Sequence, residues 1–271
     1  MQSLDVVLLG PGGVGRILLE QILESRVPHR ETYGLRLRIV AVVDSSAAVA
    51  GREGFEDALV RSVIDWKRSR KPLSEFAGAM KSSSDEILRL LAPGAIVIDC
   101  TASEDTSPLL IRALERGAKI VLANKKPLTQ DFETYRRLTA SPAACRWETT
   151  AAAGLPLLAT LARLKAGNDP VTRIAGTFSG TMNFLMTALQ AGRPFSEAVR
   201  GAVRQGLSEP DPREDLAGRD LARKTLILAR GIGFETDLTD VEVEGMVPDR
   251  LARVSVDEFL QQASTLDADV A

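Results

Sequence analysis

The sequence predicts an α/β protein: a doubly wound, mostly parallel sheet of the Rossmann type, followed by a second, α+β domain. Three observations predict it. A glycine-rich turn sits between a short apolar strand and an amphipathic helix at the very start. Strand and helix patterns then alternate to about residue 147, the rhythm of βαβ units. Beyond that point the chain turns helix-rich and carries a loop dense in carboxylates. The expected division is 1–147 for a dinucleotide-binding domain and 148–271 for a substrate domain.

Asp5-Val-Val-Leu-Leu9 is a β-branched, apolar run of the kind found in buried parallel strands. Gly10-Pro11-Gly12-Gly13-Val14-Gly15 follows, and RILLEQILES continues as a helix. This is G-x-G-x-x-G in the context the motif requires. Gly10 permits the tight turn, Gly12 lets backbone approach a pyrophosphate, and Gly15 lets helix pack on strand. Gly13 and Val14 stand at the helix N-terminus, where free N–H groups favour phosphate. The competing reading is a glycine-rich turn without a ligand.

The segment SRVPHRETYG reads as a polar loop and holds His29, the single histidine of the chain. Histidine bases, histidine zinc sites and Ser-His-Asp triads are therefore not expected. LRLRIVAVVD is the second strand and ends at Asp44. A carboxylate there accepts hydrogen bonds from ribose hydroxyls and repels a 2′-phosphate, so NAD is expected over NADP. The alternative is that Asp44 caps the turn after it. GFEDALVRSVIDWKRSR and SSSDEILRLL are helical pieces, AIVIDCT a strand ending at Thr101, Ser107–Arg116 a helix, and KIVLANKKPLT a strand stopped by Pro127. Asp44, Thr101 and Asn124-Lys125-Lys126 thus all fall at strand C-termini, where such sheets bind ligands. CRWETT is a further short strand.

In the second half, AAAG at 151–154 precedes the helix LLATLARLKAG. VTRIAGTFS reads as a strand, Gly180-Thr181-Met182-Asn183-Phe184 opens a helix, and Pro194–Gln205 forms another. Then comes Gly206 to Lys224, GLSEPDPREDLAGRDLARK, with five carboxylates (Glu209, Asp211, Glu214, Asp215, Asp220) and four bases. Pro210 and Pro212 stiffen it. A rigid loop of carboxylates suits a small cationic group. Asp220 and Lys224 stand at i and i+4 on one helix face; read blandly, they form a surface ion pair worth ~0.2–0.5 kcal/mol. The tail DEFLQQASTLDADVA is a short helix.

Composition narrows the class. The chain has 271 residues, 45% hydrophobic and 26% charged, with net charge −2. No nucleic acid or acidic membrane is expected as a partner. Cys100 and Cys145 form no CxxC pair and fit a reducing cytoplasm. No apolar run reaches ~20 residues and no signal peptide is read at the start.

The ordered set GPGGVG, DCT, ANKKPL, SGTMNF and GLSEPDPREDLAGRDLARK resembles homoserine dehydrogenase, over residues 5 to about 265. The last motif is highly specific; the first is shared by many dehydrogenases. The resemblance implies reversible reduction of L-aspartate 4-semialdehyde to L-homoserine by NAD(P)H, on the path to threonine and methionine, by a homodimer or homotetramer assembled through the substrate domain. It implies Lys224 as proton donor to the aldehyde oxygen and Lys125 as a second active-site lysine touching cofactor and substrate. Glu209 and Asp220 match the family's substrate-binding carboxylates, with Asp215 at another acidic position and Thr181 at a substrate contact. Thr101 and Gly206 match cofactor contacts. Glu148 with the carbonyls of Ala151, Ala153 and Leu155 resembles the family's sodium or potassium site, where valine and more glycine are usual. Family members continue beyond residue 271 with further strands and a helix and carry, in some forms, an amino-acid-sensing domain. The expectation is therefore weak activity and stability unless another polypeptide supplies the missing part, and no feedback through such a domain. Two rival classes remain: another semialdehyde or amino-acid oxidoreductase, and a non-catalytic NAD-binding sensor.

Overall fold

The computed structural model describes residues 1–81, 83–208 and 211–270. Within them the chain divides into two compact units, Met1–Leu155 and Pro156–Ala271. The first extends past β6 because Thr149 Oγ1 donates 3.2 Å to the Leu122 carbonyl, tying the next helical turn to the sheet.

The first unit runs β1 (Gln2–Leu9), α1 (Gly13–Glu24), α2 (Arg26–Tyr33), β2 (Leu35–Val43), β3 (Ala48–Ala50), α3 (Asp57–Arg68), α4 (Ser84–Leu90), β4 (Ile96–Asp99), α5 (Ser107–Glu115), β5 (Lys119–Leu122), α6 (Phe132–Thr139), β6 (Cys145–Arg146) and α7 (Thr149–Ala152). Among the described residues these strands form one sheet in the order β3-β2-β1-β4-β5-β6. All neighbours are parallel except β2 and β3. The two neighbours of β1 leave it on opposite sides, so the strand order reverses there. That reversal opens a crevice beyond the C-terminal ends of β1 and β4. The buried face of the sheet supplies Val6, Leu8, Ile39, Val42 and Ile98, against Leu19 of α1 and Val60 and Ile64 of α3. Each such side chain contributes roughly 1.5–3 kcal/mol when fully buried.

Two elements differ from the sequence reading. The expected polar loop SRVPHRETYG is the helix α2. Pro28 lies in its first turn, where no intrahelical N–H bond is lost, and Gly34 at φ 62° closes it in the left-handed conformation. His29 is therefore helical. The short antiparallel strand β3 has no periodic signal of its own; it exists because Ala48–Ala50 pairs with the end of β2.

The second unit holds α8 (Leu157–Ala166), α9 (Gly180–Gln190), α10 (Phe195–Arg204), α11 (Arg213–Leu216), α12 (Arg219–Gly231), α13 (Asp249–Ala252) and α14 (Val256–Gln262). Its core gathers Leu185, Phe195, Val199, Leu216, Leu251 and Phe259. The strand expected over VTRIAGTFS is not formed. Residues 171–179 carry no ladder, because none of the described residues of this unit offers a strand to pair with. β-branched composition alone does not make a strand without a hydrogen-bonding partner.

Candidate functional site

The glycine turn after β1 is built as its sequence implies. Gly10 sits at φ 83°, and a Cβ there would lie 2.7 Å from the Thr101 amide and 2.8 Å from the Cys100 carbonyl. Only glycine allows β1 and β4 to end so close together. A Cβ on Gly15 would overlap the Gly10 carbonyl oxygen. At Gly12 and Gly13, by contrast, a Cβ would meet nothing within 4 Å. Their backbone faces open space. Gly12 caps α1 with no side-chain hydrogen bond, no acidic residue stands in the first turn, and Val14 is exposed. A helix N-terminus left bare in this way is suited to a phosphate.

The turn borders a crevice of about 850 Å³. Gly10, Pro11, Gly12, Asp44, Ser45, Lys67, Thr101 and Ser103 are among its walls. Its size lies in the range of small-molecule sites. Cys100 also lines it; burial, then the neighbouring Asp99, pushes its thiol up to about 11, so it stays protonated.

Asp44 borders the crevice with its carboxylate already engaged. Oδ1 accepts from Ser46 N (2.8 Å), Ser46 Oγ (2.6 Å) and Ala47 N (3.1 Å). Oδ2 accepts from Lys67 Nζ (2.6 Å) and Leu73 N (2.9 Å). Five donors occupy the ~four lone-pair sites of a carboxylate. Burial pushes its pKa up, but the Lys67, Ser46 and Leu73 hydrogen bonds outweigh burial and hold it well below the usual carboxylate range. The geometry supports the capping alternative rather than a ribose acceptor. A sequence reading weighs Asp44 alone and does not see Lys67, which lies 23 residues away.

A second cluster at the strand ends was not anticipated as a unit. Asp99, fully buried at the end of β4, accepts from Thr101 N (2.8 Å), Thr106 Oγ1 (2.7 Å) and Asn124 Nδ2 (3.1 Å). Asn124 Nδ2 also reaches Thr101 Oγ1 (3.1 Å) and the Ser103 carbonyl (2.8 Å), and its Oδ1 accepts from Lys126 N (3.1 Å). This hub sets the path of the 101–106 loop and the backbone on both sides of Lys125. The one available signal was a carboxylate ending an otherwise apolar strand, AIVID.

In the second unit, Lys224 and Asp220 form the i, i+4 pair on α12 at 2.6 Å. Lys224 Nζ also donates to the Phe178 carbonyl at 2.7 Å. The lysine is 17% exposed and the aspartate 43%. One carboxylate oxygen and the ammonium thus stand together at a partly dry surface. Asp215 lies half-buried on α11. Thr181 is buried in the first turn of α9 and donates to the Leu207 carbonyl at 2.7 Å, holding the start of the acidic loop. Gly206, at φ 65°, ends α10: the amides of Gly206 and Leu207 bond to the carbonyls of Val203 and Ala202. That is a Schellman terminus, and it accounts for the glycine locally. Glu209, with Pro210, lies outside the described residues.

The acidic loop is clasped by Arg213. Its guanidinium takes both oxygens of Asp211, donates to the carbonyls of Leu251, Ala252 and Val254, and lies 5.7 Å from the Phe259 ring centroid. The Arg213 hydrogen bond lowers the pKa of Asp211. Asp211 is thus consumed in architecture.

For the cation reading, Glu148 precedes α7 and Ala151 is buried within it. Ala153 takes φ 50°, ψ −111°, a strained conformation for an L residue. The chain turns sharply there. Leu155 is exposed. Among the described residues no three His, Cys, Asp or Glu side chains gather into a metal cluster, and no helix is long and apolar enough to cross a membrane.

Comparison with known proteins places these features. Residues 10–148 match the profile described as "Homoserine dehydrogenase, NAD binding domain", and residues 156–270 match "Homoserine dehydrogenase". The bifunctional aspartokinase/homoserine dehydrogenase of Daucus carota is 33% identical over 99% of this chain, and that of Haemophilus influenzae 34% over 97%. The chain spans 29% and 32% of those two proteins. Among solved structures, homoserine dehydrogenase from Thermoplasma acidophilum is 29% identical, with TM-score 0.70, over 92% of this chain and 75% of that one.

Proposed function

The chain belongs to the homoserine dehydrogenase family, and on that footing we propose that it catalyses the reversible NAD(P)H-dependent reduction of L-aspartate 4-semialdehyde to L-homoserine. The observation that carries this reading is the Lys224–Asp220 pair on α12, a partly buried ammonium set 2.6 Å from a half-exposed carboxylate. As the aldehyde carbon is reduced, negative charge builds on its oxygen. The Lys224 ammonium, released from the Phe178 carbonyl, hydrogen-bonds that oxygen and then gives it the proton. In the reverse direction the same amine takes the proton from the hydroxyl. Asp220 and Asp215, with Glu209, hold the substrate's own ammonium. A bound nicotinamide supplies the hydride in one direction and takes it in the other. Gly12–Gly15 hold the pyrophosphate through backbone amides, with Thr101 in the same crevice after β4 and Lys125 following β5. Because Asp44 is already saturated by Ser46, Ala47, Lys67 and Leu73, it does not exclude a 2′-phosphate, and both NADH and NADPH serve as reductant.

The decisive experiment follows NAD(P)H oxidation on addition of L-aspartate 4-semialdehyde. Turnover is expected, and Lys224→Ala is expected to lower kcat by about 10²–10⁴ while NADH still binds. Near wild-type kcat in that variant removes Lys224 from the mechanism, and no oxidation with this aldehyde removes the assignment. We assign the cytoplasm as the place of action and a homodimer or homotetramer as the assembly, with Glu148 and the carbonyls of Ala151, Ala153 and Leu155 holding a sodium or potassium ion. Light scattering on the purified chain is expected to give two or four protomers; a monodisperse monomer overturns the assembly.

A further inference from the structure

A second hollow lies at the other end of the sheet from the nucleotide crevice. Seven residue steps along β1, at ~3.3 Å each, put the two roughly 23 Å apart. The hollow has a volume of about 250 Å³ and opens where α2 packs against the start of β2. Ile22 of α1 and Leu37 of β2 contribute to its apolar floor. Every titratable side chain lining it is a base: Arg26, His29 and Arg30 from one face of α2, at i, i+3 and i+4, and Arg36 from β2. No carboxylate lines it. Two acids stand nearby. Asp57 lies 2.8 Å from Arg26 Nη2 and Glu31 lies 3.5 Å from Arg30 Nη2. The Arg26 contact is close but misaligned: its Nε and Nη2 are buried and make no hydrogen bond. Arg36 has no ion pair, and the His29 ring meets only the Tyr33 ring, 6.5 Å away, among the described residues. A buried guanidinium N–H with no acceptor beside it, as at Arg26 Nε, calls for a ligand or ordered solvent.

The geometry points to a binding site for a small organic anion, its oxyanion head on Arg26, Arg30 and Arg36 and an apolar body over Ile22 and Leu37. Guanidinium groups pair carboxylate and phosphate oxygens in bidentate fashion, so the head is of that chemistry. The floor asks for carbon rather than water, which separates this ligand from free inorganic phosphate. The site uses no residue of the proposed dehydrogenase chemistry and does not depend on it.

Titration of the full chain with hexanoate, hexyl phosphate and hexanol, followed by ¹H–¹⁵N NMR, tests the proposal. Saturable shifts of the amides of residues 22–37 are expected with the anions and not with hexanol. The tighter of the two anions identifies the head group. Arg36→Glu, exposed on β2, is expected to keep the fold and weaken binding at least about tenfold. Arg30→Gln is a second, milder variant with the same direction. NADH-induced shifts at Gly10–Gly15 should persist in both. No saturable shift with either anion overturns the site. So does an equal response to hexanol, or undiminished binding in both variants.

Discussion

Asp44 shows how one side chain's role is decided by what surrounds it. Its position at the tip of β2 is that of a ribose acceptor, yet five donors from Ser46, Ala47, Lys67 and Leu73 fill its oxygens. It is 11% exposed and Lys67 13%. Removing one partner of a buried, hydrogen-bonded pair leaves the rest unsatisfied. Asp44→Ala is therefore expected to lower stability by about 3 kcal/mol, measured by urea unfolding, because it strands Lys67 and four backbone or hydroxyl donors. The ratio of kcat/KM for NADH and NADPH should stay within a few-fold of the unchanged protein. A strong swing toward NADPH in that variant would restore Asp44 to a specificity role. Lys224 and Asp220 are the contrasting case. Their pairing follows from i, i+4 spacing on a helix and was readable from the sequence; that Phe178 supplies a carbonyl to the same ammonium was not, since it lies 46 residues away.

At the level of elements, the glycine turn is the most legible part of the chain, because each glycine answers a local steric demand. A Cβ on Gly15 has backbone, not a flexible side chain, in its way. Gly15→Ala must displace either the turn or α1, at about 1–3 kcal/mol. Its Kd for NADH is expected to rise at least tenfold in fluorescence titration; unchanged affinity would show that the turn does not hold the pyrophosphate. Helix α2 was less legible. Pro28 and a run of polar residues read as a loop, but a proline in the first turn costs no hydrogen bond, and Gly34 supplies a proper helix end. The failed strand at 171–179 is the converse error. Val171, Ile174 and Phe178 have the composition of a strand, and composition cannot report whether a partner lies alongside. Arg213 binds the acidic loop to α13 and the turn before α14 through three carbonyls, a function no motif announces.

Taken whole, the molecule carries several carboxylates whose protons are held less tightly folded than unfolded. Asp44, Asp85, Glu86, Asp211 and Asp240 are all shifted downward, Asp85 and Asp211 chiefly by arginine, Glu86 and Asp240 chiefly by backbone amides. Such groups contribute stability above the ordinary carboxylate pKa near 4 and lose it below, because the unfolded chain takes up protons first. The Tm is expected to fall as pH drops below about 4, and to fall less steeply in Asp44→Asn, whose own contribution is already gone. A Tm independent of pH through that range would contradict the assignment of these pairs.

By itself the sequence determined what depends on near neighbours: the alternation of strand and helix, the glycine turn, the Asp220–Lys224 spacing, and the ordered motifs that mark the family. These are set by backbone sterics and by periodicity over a few residues. Only the tertiary structure decided which polar groups are already satisfied. Lys67 reaches Asp44 across 23 residues, Asn124 reaches Asp99 across 25, and Arg213 reaches Val254 across 41. A carboxylate's chemistry follows from the donors left over after folding, and chain folding brings those donors from positions that local spacing does not encode.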